Sequence, residues 1–303
     1  MLALLLVLRR ASPVEFLRIP KQTGWLTYFG ALAIPVLLFL CTTGLYAACY
    51  LSPGLWTFCV LLFVFDTALF VYAAFGDAGS IAKASATLSA PKVAMVHGVE
   101  VTLKECKTCG IMRPPRASHD RKTDRCILRF DHYCPFTGNA VGLRNYLWFF
   151  SFIVCTTFSA LIFIAICLWH VSHLSARILD DSKDGFAPVV SEGIAFGKAL
   201  VNGGILSLAL AAYFAMAALF TGTLVGFHCY FVSKGLTTYE WLKGTWKPGP
   251  NPFNRDLRQN WMAICHVAGV PPEVKVFSQE YSSASVEDGD ATELQDNRAL
   301  STL

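Results

Sequence analysis

Residues 22–65 decide the fold, and they read QTGWLTYFGALAIPVLLFLCTTGLYAACYLSPGLWTFCVLLFVF without one charged side chain. A helix needs about 20 apolar residues to cross a bilayer, so this stretch is long enough for two crossings. Ser52-Pro53-Gly54 supplies a tight turn between them. The sequence therefore predicts two transmembrane helices within residues 25–75.

The composition of the whole chain supports this interpretation. Of 303 residues, 54% are hydrophobic and 15% charged, whereas soluble domains carry about 25% charged residues. This balance excludes a disordered protein and an ordinary soluble globule. Two further uncharged apolar runs lie at about 146–169 and 199–232. We predict a mainly α, polytopic membrane protein with four transmembrane helices.

The distribution of Lys and Arg predicts the orientation. Four precede the first helix, eleven lie in residues 76–145, three lie between the third and fourth helices, and seven follow the fourth. Positive loops usually face the cytosol, so both termini and the central segment are expected there. No address motif specifies the membrane, and we favour an endomembrane (Golgi or endoplasmic reticulum) over the plasma membrane.

These observations divide the chain into six segments. The last is Ser-rich and acidic, a composition typical of disorder. The expected segments are a cytosolic N-terminal segment 1–24, helices one and two in 25–75, a cytosolic cysteine-rich domain 76–145, helices three and four in 146–232 with a lumenal loop at about 170–200, a cytosolic C-terminal region 233–277, and an acidic tail 278–303.

Asp66 stands in the middle of the second apolar run. A carboxyl there either relays protons or ions, or faces the bundle and hydrogen-bonds to a neighbouring helix. We favour the second interpretation because no other acid lies in any predicted span. A transporter or channel is accordingly the less favoured class.

Four sulfur and nitrogen donors cluster in the central segment. Cys106 and Cys109 form a Cys-x2-Cys pair, and His119 and Cys126 follow. Such a set suits a tetrahedral structural Zn²⁺ rather than a hard cation, and a cytosolic location keeps the thiols reduced. The alternative is four unrelated polar residues. We predict one structural zinc ion.

Cys134 is left over, and it ends the sequence Asp131-His132-Tyr133-Cys134. A thiol with an ordinary pKa of about 8.5 is mostly protonated at pH 7. A histidine two positions away can accept its proton, and a carboxylate can orient that histidine. We predict Cys134 as nucleophile, His132 as general base and Asp131 as the group that orients it. A second metal site here lacks partners.

Further patterns surround this segment in a fixed order. They are Asp77-Ala78-Gly79, Arg113-Pro114-Pro115-Arg116, Asn139 with Gly142 and Asn145, Thr237-Thr238-Tyr239-Glu240, and Asn251-Pro252-Phe253. Together with Asp131-His132-Tyr133-Cys134-Pro135-Phe136, they make residues 25–262 resemble the DHHC protein S-acyltransferases, or palmitoyltransferases. Thr237 and Glu240 also have the spacing of a helix capping box.

The resemblance implies an activity and partners. Cys134 would take a long-chain acyl group from palmitoyl-CoA and pass it to membrane-proximal cytosolic cysteines of substrate proteins. Membrane lipid would surround the helices, and we expect no nucleic-acid partner. The alternative is a catalytically inactive zinc-bearing membrane scaffold or trafficking adaptor.

The chain departs from the family at one set of positions. The family normally binds two zinc ions, and where the second ligand set belongs this chain has Asp120, Thr123, Tyr133 and Ala140. All four ligands are replaced, which predicts a site lost as a unit. We expect a Tyr133 ring at least half buried, with its hydroxyl bonded to Asp120, Asp124 or a loop carbonyl.

Two sets of residues are candidates for binding the acyl donor. Arg121, Lys122, Arg125 and Arg129 can meet the CoA phosphates, or can simply reflect the positive-inside rule. An extended C16 chain is about 20 Å long, and at about 1.5 Å of rise per residue Ser159 and Ala160 lie about that far along the third helix. They either floor the acyl slot or allow close helix contact.

Overall fold

The structure, a computed structural model, describes residue 26 and residues 28–83, 93–183, 191–247 and 249–265. The expected N-terminal segment 1–24 and acidic tail 278–303 lie outside these residues.

Four helices in the described chain are long and apolar enough to cross a membrane, which confirms the predicted number. The first two, α1 (Gly30–Tyr50) and α2 (Pro53–Phe75), are separated by the expected turn, with proline in its favoured position at the start of a helix. The third, α3, spans Tyr146–Lys183, and the fourth spans Glu192–Ser233.

The fourth membrane helix is interrupted near its beginning. A π-helical turn, Leu200–Gly204, separates α4 (Glu192–Ala199) from α5 (Ile205–Ser233). Gly203 lies in this turn with φ of 104°, a conformation that glycine adopts without the steric cost borne by other residues.

Most of the segment expected to be a loop at about 170–200 is helical. The third helix continues past the apolar run to Lys183, and α4 covers Glu192–Ala199. Residues 170–183 are polar but include neither proline nor glycine, so nothing in them breaks a helix. The hydropathy pattern indicated where the apolar surface ends, whereas the helix ends later.

The central segment folds into short antiparallel strands. Hydrogen bonds join them into one three-stranded sheet, β1-β7-β6, and three hairpins, β2-β3, β4-β5 and β8-β9. The strands are β1 (Ser80–Ile81), β2 (Val93–Val96), β3 (Val99–Thr102), β4 (Lys104–Cys106), β5 (Ile111–Arg113), β6 (Ser118–Asp120), β7 (Arg125–Ile127), β8 (His132–Cys134) and β9 (Asn139–Val141).

The chain divides into two units. The first, the cysteine-rich unit, contains the described residues of Tyr72–Phe149 and those from His228 to Cys265, which include two short helices, α6 (Thr238–Lys243) and α7 (Leu257–Cys265). The second, the membrane unit, contains the described residues up to Val71 together with Phe150–Phe227.

Apolar packing forms the core of the membrane unit. The rings of Phe39, Phe163 and Phe214 lie 4.5 to 5.8 Å apart between centroids. Asp66 is buried, and its carboxylate accepts a 2.9 Å hydrogen bond from the Thr156 hydroxyl of α3. This bond to a neighbouring helix agrees with the favoured interpretation of Asp66 as a bundle-facing carboxyl.

Candidate active site and metal centre

The β4–β5 hairpin brings two cysteines together. Its turn places the amides of Cys109 and Gly110 so that both donate to the Cys106 carbonyl, at 3.2 and 2.8 Å. Gly110 has φ of 67°, the left-handed conformation that closes the turn. The result is a tight knuckle that presents the side chains of Cys106 and Cys109 to the same space.

The β6–β7 pair supplies two further donors. His119 and Cys126 are direct cross-strand partners, and His119 Nδ1 lies 3.5 Å from Cys106 Sγ and 3.3 Å from Cys109 Sγ. All four donor atoms lie within 4.8 Å of one another. The four residues predicted from spacing therefore converge into one cysteine–histidine cluster that can hold a metal ion.

A carboxylate lies behind the histidine of this cluster. Asp124 Oδ1 is 3.6 Å from His119 Nε2, and its other oxygen is 2.6 Å from Lys83 Nζ. Metal-bound histidines commonly direct their second nitrogen toward a carboxylate, which fixes the ring. An ion held by this cluster would therefore bind Nδ1 of His119, while Nε2 faces Asp124.

Alternation along β8 places the residues on either side of Tyr133 on one face of the strand and Tyr133 on the other. Successive side chains of a strand point to opposite faces, so His132 and Cys134 share one face and Tyr133 takes the other. The register pairs Tyr133 with Ala140 and Cys134 with Asn139. Gly138, with φ of 67°, closes the turn and donates to the Cys134 carbonyl at 2.9 Å.

Two asparagines fix this hairpin to the end of α2. The Asn139 amide donates to the carbonyls of Ala73 and Gly76, at 3.2 and 2.8 Å. Asn145 donates to the Ala73 and Ala140 carbonyls and accepts from the Gly142 amide at 2.9 Å. Helix ends leave carbonyls without partners, so these side chains cap α2 while they position Cys134.

Gly142 is required by close backbone contact. A Cβ atom at this position would lie 2.5 Å from the Ala78 carbonyl oxygen and 2.5 Å from Ile127 Cγ2. Asp77 strengthens the same corner, because it accepts from Arg144 at 2.6 Å and from the Ser80 amide at 3.0 Å. The resemblance motifs Asp77-Ala78-Gly79 and Gly142 thus meet in space.

Asp131 is a buried carboxylate with partners on both oxygens. It is 1% exposed, its Oδ2 lies 2.7 Å from His132 Nδ1, and its Oδ1 accepts from the Thr238 amide at 2.9 Å. Burial alone would raise the pKa of Asp131, but the hydrogen bond and charge of His132 outweigh it and lower the pKa to about 2. Asp131 is therefore ionised and can stabilise an imidazolium.

His132 links this carboxylate to the thiol. Burial would lower the pKa of His132, yet hydrogen bonds with Asp131 and Cys134 raise it to about 9. In the same way, burial would raise the pKa of the Cys134 thiol, and the hydrogen bond and charge of His132 bring it below its ordinary value. The arrangement favours a thiolate–imidazolium pair held by a carboxylate.

A buried ion pair connects the remaining motifs to this triad. Arg116 donates to both oxygens of Glu240, at 2.8 and 2.7 Å. Glu240 also forms the predicted capping box with Thr237, which begins α6. Because the amide of the next residue, Thr238, donates to Asp131, the start of α6 serves as a hydrogen-bond donor to this buried carboxylate.

The Asn251-Pro252-Phe253 motif and the nearby Asn260 close the end of α5. Asn251 donates to the carbonyls of Lys234 and Gly235, at 3.2 Å each, and Asn260 donates to the Ser233 carbonyl at 3.0 Å. The Phe253 ring lies 4.4 Å from the Arg116 guanidinium carbon. These contacts fix the segment that carries Thr238 and Glu240.

Sequence reasoning missed three residues around His132. His228 of α5 is buried, its ring centroid is 5.9 Å from that of His132, and its Nδ1 is 2.9 Å from the Tyr146 hydroxyl. Phe149 packs edge-on against both imidazoles, at 5.1 and 5.3 Å. The available signal was a single histidine near the end of an apolar run.

The four predicted basic residues do not form one surface. Arg121 and Lys122 are exposed in the β6–β7 turn, and Arg125 is partly buried on β7. Arg129 turns inward, with its guanidinium 4.9 Å from the centre of the Tyr146 ring. Its Nη1 is buried and has no hydrogen-bond partner among the residues that the structure describes.

The positions of the replaced second ligand set are filled by other contacts. Asp120 is buried and accepts from both the amide and the hydroxyl of Thr123, at 2.9 and 2.8 Å. The Tyr133 ring is mostly buried, as expected, and pairs across the hairpin with the fully buried Ala140. Burial and the negative charge of Asp120 raise the pKa of Tyr133, whereas Asp124 contacts Lys83 and His119.

The two small residues predicted along α3 face the interior of the membrane unit. Ser159 and Ala160 are 6% and 3% exposed. They line a narrow cavity with Val36, Phe63 and Phe214, among others, with room for about one water molecule. The Ser159 hydroxyl donates to the Cys155 carbonyl at 2.8 Å.

Comparison with known proteins places this site in a class. The family model for DHHC palmitoyltransferases matches residues 100–245, which contain the cysteine–histidine cluster, the triad and Glu240. Residues 100–245 are therefore a DHHC palmitoyltransferase domain.

Individual relatives agree with this assignment. Palmitoyltransferase ZDHHC8 of Drosophila melanogaster is 34% identical over 79% of this chain and 23% of its own length. Palmitoyltransferase ZDHHC9 of Danio rerio is 33% identical over 73% of this chain and 58% of its own length. Palmitoyltransferase ZDHHC14 of Homo sapiens is 30% identical over 79% and 52%. The chain thus spans between about a quarter and three fifths of these relatives.

Proposed function

We propose that this protein is a protein S-acyltransferase that uses Cys134 as its nucleophile. One observation carries the proposal: two successive hydrogen bonds join the Asp131 carboxylate to His132, at 2.7 Å, and His132 to the Cys134 thiol. A charged histidine beside a cysteine is the usual way to obtain a nucleophilic thiolate at neutral pH. The match of residues 100–245 to the DHHC palmitoyltransferase model supports palmitoyl-CoA as the donor.

In the first step, the Cys134 thiolate attacks the thioester carbonyl of a long-chain acyl-CoA. A carbon–sulfur bond forms to Cys134, and the bond between the acyl carbon and the CoA sulfur breaks. The proton held on His132 goes to the departing CoA sulfur, so CoA leaves as a thiol. Asp131 keeps its hydrogen bond to Nδ1 of His132 throughout.

In the second step, His132 is neutral and acts as the base. It accepts the proton of a cysteine thiol on the substrate protein, and the resulting thiolate attacks the acyl group on Cys134. The Cys134 thiolate leaves and again pairs with the protonated His132. Because Asp131 stays ionised at a pKa of about 2, it stabilises the imidazolium in each step.

We further propose that the cysteine–histidine cluster holds one structural zinc ion. Two thiolates from one knuckle and a histidine–cysteine pair from neighbouring strands match a closed tetrahedral site. A closed site supplies folding free energy rather than chemistry, and it fixes the hairpins around Cys134. The replaced second set supports a stoichiometry of one.

The remaining assignments extend this proposal. Arg121, Lys122 and Arg125 meet the CoA phosphates, and Arg129 balances the buried charges of Asp131 and Glu240. Ser159 and Ala160 form the end of the acyl-binding slot. Side chains around the narrow cavity there must rearrange to admit the end of the acyl chain. The protein lies in an endomembrane with both termini on the cytosolic side. Its substrates are proteins with membrane-proximal cytosolic cysteines.

Labelling with an acyl-CoA analogue tests the proposal. Purified full-length chain should acquire a hydroxylamine-sensitive label on Cys134, and Cys134→Ser should remove it because a hydroxyl beside His132 is not ionised at neutral pH. Cys265→Ser is the matched control, since this cysteine is exposed and outside the triad. An unlabelled, folded and metal-loaded chain would support the inactive scaffold instead.

A further inference from the structure

A second group of metal-binding side chains lies beside the Cys134 thiol. The carboxylate of Asp131 and one imidazole nitrogen each of His132 and His228 lie within 4.8 Å of one another. Asp131 and His228 are buried and His132 is partly buried. His228 comes from α5 and belongs to none of the motifs of the DHHC signature described above. The expectation that a second metal site here lacks partners was therefore wrong, because α5 supplies a third donor that is distant in sequence.

The hydrogen bonds around His228 leave one nitrogen available. Its Nδ1 is 2.9 Å from the Tyr146 hydroxyl, so Nε2 is the atom it can offer to an ion. Donors at about 2.0–2.2 Å from a tetrahedral Zn²⁺ lie roughly 3.3–3.6 Å from one another. Small rotations of the three side chains, from separations of at most 4.8 Å, therefore reach a ligand geometry.

We propose that Asp131, His132 and His228 form a second metal site, and that Zn²⁺ bound there inhibits the acyl transfer proposed above, on which this inference rests. The ion takes the nitrogen lone pair that His132 needs as a base. Cys134 is hydrogen-bonded to His132, so an ion on His132 removes the base and proton donor on which this thiol depends.

The donor set determines which ion binds. Two imidazoles and a carboxylate suit Zn²⁺, whereas Mg²⁺ and Ca²⁺ require oxygen donors. The charge of Arg116 is neutralised by Glu240, but Arg129 is close enough to interact electrostatically with Asp131. This positive charge opposes the ion, so the site binds zinc more weakly than the cysteine–histidine cluster and releases it reversibly.

The experiment is a zinc titration of the full-length chain in detergent, with the cysteine–histidine cluster already loaded. A second, weaker equivalent of Zn²⁺ should bind, and autoacylation of Cys134 should fall with the same midpoint. Mg²⁺ at the same concentrations should change neither signal. If the chain binds one zinc only, the inference is overturned while acyl transfer itself is unaffected. If autoacylation is absent without added zinc, the proposed function fails, and the binding titration still decides the site.

A substitution separates this site from other effects of zinc. His228→Asn keeps a hydrogen-bond donor for the Tyr146 hydroxyl oxygen, the role of Nδ1–H when Nε2 binds an ion, and removes Nε2. Loss of an outer-shell partner alone weakens metal sites about 10–100-fold, so loss of a ligand should raise both midpoints at least about tenfold. His170→Asn is the matched control, because His170 is also a buried helix histidine, bonded to Ser207 at 2.7 Å. Equal inhibition of wild type and His228→Asn overturns the proposal.

A measurement on the wild type covers the case in which His228→Asn does not fold. Bound zinc should protect His132 and His228 from carbethoxylation, read by mass spectrometry, while His173 reacts as before. Modification of His228 that is unchanged by saturating zinc would contradict the site.

Discussion

The two units of this chain are stabilised internally by different kinds of contact. In the cysteine-rich unit, directional contacts position each functional atom: Asp131 bonds His132 and Thr238, and Glu240 bonds Arg116. In the membrane unit, packed rings such as Phe39 and Phe163 form the core. Loss of one directional contact should abolish a step of chemistry, whereas a change in packing should shift a preference.

The largest effect should follow loss of one metal ligand. Cys106→Ala removes a donor from the cysteine–histidine cluster and forfeits much of the ~10–16 kcal/mol of apparent zinc affinity typical of such sites. We expect zinc content to fall from about one per chain to near zero and Cys134 labelling to be lost with it. Metal analysis and labelling of the same sample measure both.

The control for this change is Cys229→Ala, a cysteine on α5 outside the cluster, which should retain its zinc. A wild-type content of two structural zinc ions, resistant to chelation under conditions that remove weak metal, would contradict the single-site proposal. Unchanged zinc in Cys106→Ala would remove Cys106 from the cluster.

A smaller but still severe effect should follow loss of the base. His132→Ala should slow autoacylation by about 10²–10⁴-fold, the usual contribution of a positioned general acid–base group. Zinc content should stay at about one per chain, because His132 is not among the four cluster ligands. Single-turnover labelling measures the rate, and a normal rate would exclude His132 as the base.

The pH dependence of Cys134 should report the same pair. Since His132 holds the pKa of the Cys134 thiol below its ordinary value, the thiolate persists as the pH falls from 9 toward neutrality and is lost only below the lowered pKa. In His132→Ala the thiolate should decline already below an ordinary pKa of about 8.5. Alkylation of Cys134 by iodoacetamide measures this, and coincident profiles would refute the ion pair.

The replaced ligand set offers a milder test within the same unit. Tyr133→Ala removes a mostly buried ring and should destabilise the domain by about 2–4 kcal/mol, below the full cost of a large core residue. Zinc content should not change. Tyr133→His should likewise bind no extra structural zinc, because the other three ligand positions are still occupied by Asp120, Thr123 and Ala140 instead of the family's zinc ligands. Thermal unfolding and metal analysis check both, and a regained second zinc would refute loss of the site as a unit.

Short sequence patterns were sufficient to predict most residues of the candidate site. The spacing of Cys106, Cys109, His119 and Cys126 predicted the cluster because hairpins bring such donors together over short distances. The proximity of Asp131, His132 and Cys134 predicted the triad because alternation on one strand is a local property. Four membrane helices followed from hydropathy alone.

Contacts between distant segments were beyond the sequence. Nothing in the residues around Arg116 indicates that Glu240 lies within 2.8 Å, or that His228 reaches the triad. The extension of α3 to Lys183 was missed because apolar length measures the bilayer, whereas a helix ends where its backbone is interrupted. Arg129 was grouped with Arg121 by charge, but its surroundings turn it inward.

The smallest effect should come from the membrane unit. Ser159 is buried and lines a narrow cavity with Ala160, so Ser159→Phe adds volume where the proposed acyl slot ends. Forcing a longer chain against it should cost about 1–3 kcal/mol, as for an overpacked core, or roughly 5- to 150-fold in selectivity. The wild type should therefore accept C16 and C18 chains, and the variant should prefer C14. Competition among the three acyl-CoAs measures the preference, with Ser172→Phe as the control because the Ser172 side chain is exposed on the same helix. An unchanged profile in Ser159→Phe would mean that the two small residues serve helix contact only, and that the slot ends elsewhere.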